Sequence, residues 1–380
     1  MASAKPRPLA DYFSELRDPR VQLKCDHDFL AIVLIVVCAT IGGADDFVSI
    51  ETFAQAKRAW FRDRLGLKLD NGIPSHDTLT RVFALLNPRQ FRECFLRSVE
   101  SMSDTLQLKQ VPTDGKAMRG SKRRAGDGAC RAVQIVSAWS SANGLTLAQV
   151  RVEEKSNEIT AIPELLNLLD LSGALVSIDA AGCQTEIADQ VVAGQGDYLL
   201  AVKENQPRLY ADIERLALAA LETDYAGLSQ HLREESGHGR EEMRFCFVLT
   251  DLKSIRDRAG WAGLKSVVCV VTCRTLHGKE SHETRYYISS RRAGAKTFLR
   301  ATRAHWGIEN QCHWVLDVAF REDDHRLREG HGPENLSLVR KMALAMLKKA
   351  KAKCGIKNKR LKAGWDEAFL EHVLRDYLDD

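Results

Sequence analysis

This sequence predicts a protein of mixed α and β structure, built on a mixed sheet with helices packed on it, preceded by a helical segment and interrupted by a mainly β insertion. Three observations lead there. The first hundred or so residues carry apolar runs that are either continuous or spaced at helical intervals. From Val111 onward, short β-prone runs alternate with helical ones. Between Pro207 and Ile288 that alternation breaks, and runs rich in Val, Phe, Tyr and Cys take over.

Taken in order, 29–41 is continuously apolar and reads as a buried core helix. Ser75 is placed to cap a helix bearing Leu79, Val82, Phe83 and Leu86 on one side. Asn87 caps a second, started by Pro88 and carrying Phe91, Phe95 and Val99. The pair is either a packed αα-hairpin or a DNA-binding helix-turn-helix. Runs 132–139 and 145–152, separated by Ser-Ala-Asn-Gly, read as hairpin strands. A helix is expected near Ile162 with Pro163 in its first turn, then a strand at 174–178 ending on Asp179, a helix at 185–193 and a strand at 198–202. Strands at 242–250, 266–274 and 284–288 follow a helical piece in the insertion. Helices at 296–320 and 334–351 and a short amphipathic segment at 366–378 complete the chain. The expected division is a helical N-terminal domain at 1–105, a catalytic core split into 106–206 and 289–350, the insertion at 207–288, and a basic C-terminal region at 351–380.

Composition narrows the class. At 380 residues, with 44% hydrophobic and 28% charged, the chain is long enough for two or three domains and reads as an ordinary globular protein, which argues against disorder. Its ten cysteines form no C-x-x-C pair and no secretory leader is recognisable, so free thiols in a reducing cytoplasm are expected. The 29–41 stretch falls short of the roughly 20 residues a membrane span needs. Net charge is only +4, yet its distribution is uneven. Ten Lys and Arg and no acid lie between Arg340 and Lys362, and Lys116, Arg119, Lys122, Arg123, Arg124 and Arg131 cluster with Asp127 alone as counter-charge. Either cluster suits a phosphate backbone, or simply a solvated face.

Three acids stand out. Asp114 lies beside Gly115 in VPTDGKAMRG, with Lys116 and Arg119 nearby: a metal or phosphate corner, or only an Asp-Gly turn. Asp179 ends a buried strand and is followed by Ala180, Ala181 and Gly182; an ionised carboxylate there needs compensation, by a divalent cation or as a helix cap. Glu309 sits in RAHWGIENQCHWVLDVAFREDD, where Glu309, His313, Asp317 and Phe320 share one side of a helix otherwise read as core, with Trp306, Trp314 and Val318 among its apolar residues. His313 reads as a hydrogen-bonded core histidine, its spacing to Asp317 too generic for a zinc site. Hard cations prefer a few carboxylates plus water and phosphate oxygens, and two of them about 4 Å apart suit an in-line displacement at phosphorus.

Together the segments TDGKAMRGS, EEKSNEITAIPELL, SIDAAGCQTEIA, DYLLAVKENQ, HGREEMR, YYISS, HWGIENQCHWVLDVAFREDDHR and ENLSLVRKMAL resemble the insertion-sequence transposases of the DDE class, in the branch that includes the H-repeat-associated proteins. The resemblance spans nearly the whole chain. It implies a ribonuclease-H-like core split by an insertion between the second Asp and the Glu. It further implies catalytic and metal-holding roles for Asp114, Asp179 and Glu309, with two Mg²⁺ ions for which Mn²⁺ substitutes, and DNA contact by Lys116, Arg119, Lys203, Asn205 and Gln206. The partners so implied are double-stranded DNA, as element terminal repeats and as target, and a second copy in a synaptic homodimer or larger assembly. Two departures from the family pattern are Glu204 where a Gly is expected and Gln311-Cys312 in place of a more apolar pair. The family also contains degenerate, immobile copies. Two other readings remain open at this point: a nuclease of the same fold without strand transfer, and a DNA-binding repressor that has lost chemistry. A hydrolase acting on small substrates is disfavoured by the basic segments and by the lack of a G-x-S-x-G turn.

Overall fold

The structure is a computed structural model that describes residues 8–21, 25–101, 109–124, 130–153, 156–237 and 239–375. Asp127 and part of the segment EEKSNEITAIPELL lie outside the described residues. The N-terminal part is helical: α1 (Leu9–Phe13), α2 (Phe29–Ile41), α3 (Phe47–Ala56), α4 (Arg58–Leu65), α5 (His76–Leu85) and α6 (Pro88–Ser101). The caps expected at Ser75 and Asn87 are in place, and Asp28 adds a third. Asp28 accepts from the Ala31 N–H at the start of α2, Ser75 accepts from Thr78 at the start of α5, and the Asn87 carboxamide oxygen accepts from Arg89 and Gln90 at the start of α6.

The β-strands of the described residues join one nine-stranded sheet, ordered β3-β2-β1-β4-β5-β9-β8-β7-β6. Its first half comprises β1 (Gln110–Arg124), β2 (Cys130–Ser140) and β3 (Leu145–Arg151), antiparallel in sequence, with β4 (Leu175–Ile178) and β5 (Asp197–Val202) parallel to β1. This is the ribonuclease-H-like order. The helices α7 (Glu158–Leu166) and α8 (Thr185–Ala193) connect its strands.

The insertion contains α9 (Pro207–Glu222), then β6 (Ser229–Gly237), β7 (Arg240–Leu249), β8 (Ser266–Leu276) and β9 (Lys279–Ser289). It extends the core sheet, because β9 pairs antiparallel with β5 through Leu199–Ser289 to Val202–Tyr286. Strand β6 was not expected from SQHLREESG, whose side chains are nearly all exposed. Backbone pairing with β7 along its whole length holds it as an edge strand.

After the sheet come α10 (Ala295–His305), a π-turn at Glu309–His313, α11 (Trp314–Phe320), α12 (Gly332–Lys349), α13 (Ile356–Trp365) and α14 (Glu367–Leu374). Of these, α13 had no counterpart in the sequence reading. Helix α12 is buried from Gly332 to Leu347, packed between β2 and β3 on one side and α2, α5 and α6 on the other. Complete burial of a long helix needs no polar face, but α12 carries Arg340 and Lys341.

Those two residues correct the expectation that the 340–362 segment follows phosphates. Arg340 donates to the Asp45 carbonyl, and Lys341 donates to Ser137 Oγ at 2.7 Å and to Gln149 Oε1 at 2.6 Å. Lys359 donates to the Leu347 and Ala350 carbonyls, and Arg360 to those of Thr40 and Ala44 and to the Asp45 carboxylate. All four are buried; Arg340, Lys359 and Arg360 tie down carbonyls at helix ends and Lys341 bonds side chains of β2 and β3, so the charge run serves packing at these positions. The ten cysteines are free, and no helix among the described residues is long and apolar enough to cross a membrane.

Candidate active site

Parallel pairing of β1 with β4 places Thr113 beside Ile178, so Asp114 and Asp179, the next residue of each chain segment, stand side by side at the same level of the sheet. The Asp179 carboxylate accepts from Gly182 N–H at 3.4 Å. Gly182 is required there, because a Cβ would lie 2.3 Å from Ile178 Cγ2 and 3.0 Å from Ile162 Cδ1.

Glu309 arrives from the helical layer above. The 296–320 run expected as one helix is interrupted at Trp306 and widened by the π-turn, where the Trp314 N–H donates to the Glu309 carbonyl five residues back. The predicted polar row survives this change. His313 Nδ1 lies 3.4 Å from Asp114 Oδ2, and Asp317 accepts from Lys116 at 2.6 Å, so the row runs along alternate residues of β1. Trp314 and Val318, by contrast, are exposed at 61% and 48% and are not core.

A fourth acid completes the group. Glu158 opens α7 and occupies the space a side chain on residue 115 would need, its Oε1 being 2.0 Å from an ideal Cβ there. Burial raises its carboxyl pKa, and the charges of Asp179 and Asp114 raise it further. Burial and Asp114 likewise raise Glu309, with His313 and Arg285 opposing and Asp179 adding to the rise. His305, at the end of α10, is held below its usual range by burial despite Asp114 and Asp179. It bonds Ser177 Oγ at 3.2 Å; Gln110 reaches the same hydroxyl and the Ala301 carbonyl, which fixes α10 to β1 and β4.

The donor set is one of hard oxygens with excess negative charge, and His313 Nε2 is buried without a partner. That chemistry fits a divalent cation. Among the described residues, no three His, Cys, Asp or Glu side chains are already drawn into a metal cage. Such closure is not a requirement for Mg²⁺, which keeps waters and takes substrate oxygens.

The family model described as "Transposase DDE domain" matches residues 106–346, and "DDE_Tnp_1-associated" matches residues 10–99. The chain belongs to the DDE transposase family. The putative transposase YncI of Escherichia coli O157:H7 is 41% identical, with 96% of this chain and 94% of that protein covered. The H repeat-associated putative transposase YhhI of Escherichia coli K12 is 36% identical over 96% and 97%. A short relative in the same strain, called inactive transposase YbfQ, is 35% identical over 20% of this chain and 86% of its own length. Among solved structures, a piggyBac transposase synaptic complex with hairpin DNA aligns at TM-score 0.42 and 9% identity, covering 96% of this chain and 76% of that one.

Of the residues expected to touch DNA in this transposase, Lys116 is committed elsewhere. Its ammonium contacts Asp317, Glu322 at 3.0 Å and Asp323 at 3.3 Å, and these carboxylates raise its pKa against the cost of burial. Asn205 donates to the Ala180 carbonyl at 2.7 Å and Gln206 to that of Cys183 at 2.8 Å, so the KENQ loop grips the turn that carries Asp179. Arg119 and Lys203 are exposed, Arg119 with a loose contact to Asp323 at 3.4 Å.

Sequence reasoning misses Glu158 because Pro163 reads as a first-turn proline, which starts the helix near Ile162. The helix begins at Glu158, with Asn157 as its N-cap residue and Pro163 inside. Asn-Glu ahead of an apolar period was the signal. Arg285 had no such signal. Its alternation in β9 says only that it faces one side of a sheet.

Proposed function

We propose that this chain is a Mg²⁺-dependent DNA transposase that cleaves phosphodiesters at the ends of its insertion element and transfers the freed ends into target DNA. The observation that carries this reading is the gathering of four carboxylates around the paired ends of β1 and β4, with no cation of the chain spent on Asp179 among the described contacts. Asp114, Asp179 and Glu309 would hold the two ions, for which Mn²⁺ would substitute. Bound there, the ions neutralise the carboxylates and polarise the scissile phosphate and the attacking oxygen.

The chain's own residues do the rest. Glu158 sets the position of Asp114 and Asp179 by filling the gap at Gly115, and His313 orients Asp114. Neutral His305 keeps a second positive charge out of the site while tying α10 to the sheet. The KENQ loop fixes the turn after Asp179, while Arg119 and Lys203 contact phosphates. Double-stranded DNA is the partner, bound by at least two copies when both ends are held, in the cytoplasm.

Cleavage of a labelled duplex carrying the element's terminal repeat tests this. Nicking at the repeat boundary with Mg²⁺ is expected, lost with EDTA and with Asp179→Asn, and followed by joined product when target DNA is added. Cutting without joining would reduce the protein to a nuclease of the same fold. Tight binding with no cutting would leave a DNA-binding repressor and overturn the enzymatic reading.

A further inference from the structure

One face of the sheet extension changes character along its length. Beneath α10 it is apolar: Cys246, Val248, Val268, Val270 and Tyr287 pack against Ala295, Phe298 and Leu299. Where α10 ends, the same alternation brings up charge. Arg240, Glu242 and Arg244 continue the β7 face, with Arg274 opposite Glu242 and Thr272 opposite Arg244 on β8, and Arg285 opposite Val270 on β9. Arg303 joins from the last turn of α10. The resulting cleft is lined by all five arginines and runs to Glu309.

Four acids stand in or against this cleft: Glu242 and Glu283 line it, Glu309 closes its inner end, and Glu235 contacts two of its arginines. Glu242, buried, contacts Arg240, Arg244 and, at 3.6 Å, Arg274. Glu235 contacts Arg233, Arg244 and Arg303, and those contacts, Arg303 first, take its pKa down to about 2. Glu283 pairs with Arg285 at 2.7 Å. Five guanidinium groups against these four carboxylates leave the cleft cationic by one, before the Arg233 that Glu235 also contacts is counted. Burial and the crowding of Arg274 and Arg244 lower the Arg240 pKa, the mark of like charges held together. Carboxylates that each collect several arginines hold their forks in place, which is how a planar phosphate-binding surface is prepared. At the cleft's inner end Arg285 lies 4.9 Å over the Trp306 ring, beside Glu309.

We infer that this cleft, formed by Arg240, Arg244, Arg274, Arg285 and Arg303, is a binding site for the phosphate backbone of the DNA strand that enters the carboxylate site past Glu309. This rests on the transposase reading and adds to it a strand path over the insertion. The insertion thereby serves as part of the substrate-binding surface.

The test is equilibrium binding of a fluorescent duplex to the full chain in EDTA, which removes chemistry, across a salt series. Arg240→Gln, Arg274→Gln and Arg285→Gln are combined in one variant; Arg258→Gln, outside the cleft, is the control. Each phosphate contact contributes about 0.9 to the slope of log K against log salt. The triple variant is expected to weaken binding at least about tenfold and flatten the slope by about 2 to 3, with the control unchanged. Wild-type binding with an unaltered slope in a folded triple variant overturns the cleft and leaves the transposase reading standing. Failure of the wild type to bind DNA defeats the transposase reading itself. Should the triple variant not fold, single Arg274→Gln, whose side chain is 45% exposed, is expected to flatten the slope by about 1, and no change there overturns the proposal.

Discussion

Two groups of ionisable side chains lie a few residues apart along β1 and are treated in opposite ways. Asp114, with Asp179, Glu158 and Glu309, sits among like charges that raise the pKa of Glu158 and Glu309. Lys116, two residues on, meets Asp317, Glu322 and Asp323; Glu322 in turn faces Arg340 at 3.8 Å, and Arg340 reaches the Asp45 carbonyl in the N-terminal helices. One group is left in deficit of positive charge and the other is closed by its own partners. Charge closed by its own partners, as around Lys116, belongs to the architecture, whereas charge left in excess of its counter-ions, as around Asp114 despite His313, points to something the chain does not itself supply.

Breaking the deficit should abolish chemistry and spare the fold. Glu309→Gln is expected to lower cleavage at least about a thousandfold, roughly 4 kcal/mol at the transition state. Its metal-free denaturation midpoint should hold or rise, since a like charge is gone; a fall in that midpoint would make Glu309 structural. Breaking the closed group should do the reverse. Arg340→Ala removes one of the cations facing buried Glu322 and the donor to the Asp45 carbonyl, and is expected to cost about 3 kcal/mol in urea denaturation. A loss under about 1 kcal/mol would show that Arg340 does not support the closed group.

Gly120 is where the strap carrying Glu322 and Asp323 presses on β1: an added Cβ would lie 2.2 Å from the His325 carbonyl oxygen. Gly120→Ala should therefore cost about 1–3 kcal/mol, read by thermal denaturation, because the obstacle is backbone. Asn205→Ala, which frees the Ala180 carbonyl, should cost about 1 kcal/mol and slow cleavage without changing DNA affinity.

Acid titration sharpens the contrast through opposite signs. Glu322 is held down to about 2 despite full burial, by Lys116, Arg340 and Lys341. Its contribution is present above its unfolded pKa and disappears as pH falls toward 2. Glu158 and Glu309 are raised, so in metal-free protein their contribution is full below the unfolded pKa and is lost as pH climbs through the folded one. Mg²⁺ should restore midpoint stability on the alkaline side and do nothing on the acid side; equal effects on both would separate the ion from these carboxylates.

Much of this was legible from periodicity and punctuation. The apolar run 29–41 and the capped pair at Ser75 and Asn87 needed no tertiary information, and the Thr185–Ala193 helix was placed to the residue. Strand β6 and the cations of α12 were not legible, for one reason: partners across the fold decide both. A polar strand persists because β7 pairs its backbone, and Arg340 is buried because Asp45 and Glu322 meet it there. The three acids could be named from their surroundings and from the family pattern, while Glu158 and Arg285 join them only when the sheet brings their segments together.

Helix α12 lies against the first long helix of the chain, and Arg360 bonds the Thr40 carbonyl across 320 residues. On a ribosome adding about 5–20 residues per second, α2 leaves the tunnel some 15–60 s before the segment that covers it. For that interval the face of α2 that α12 covers stands unshielded, with α1 and α3 on the rest of it, and the carboxylates lack the strap that fixes β1. Synthesis thus imposes a delay between making the first acid of the site and assembling it, and a chain ended early would lack both Glu309 and the strap that fixes β1.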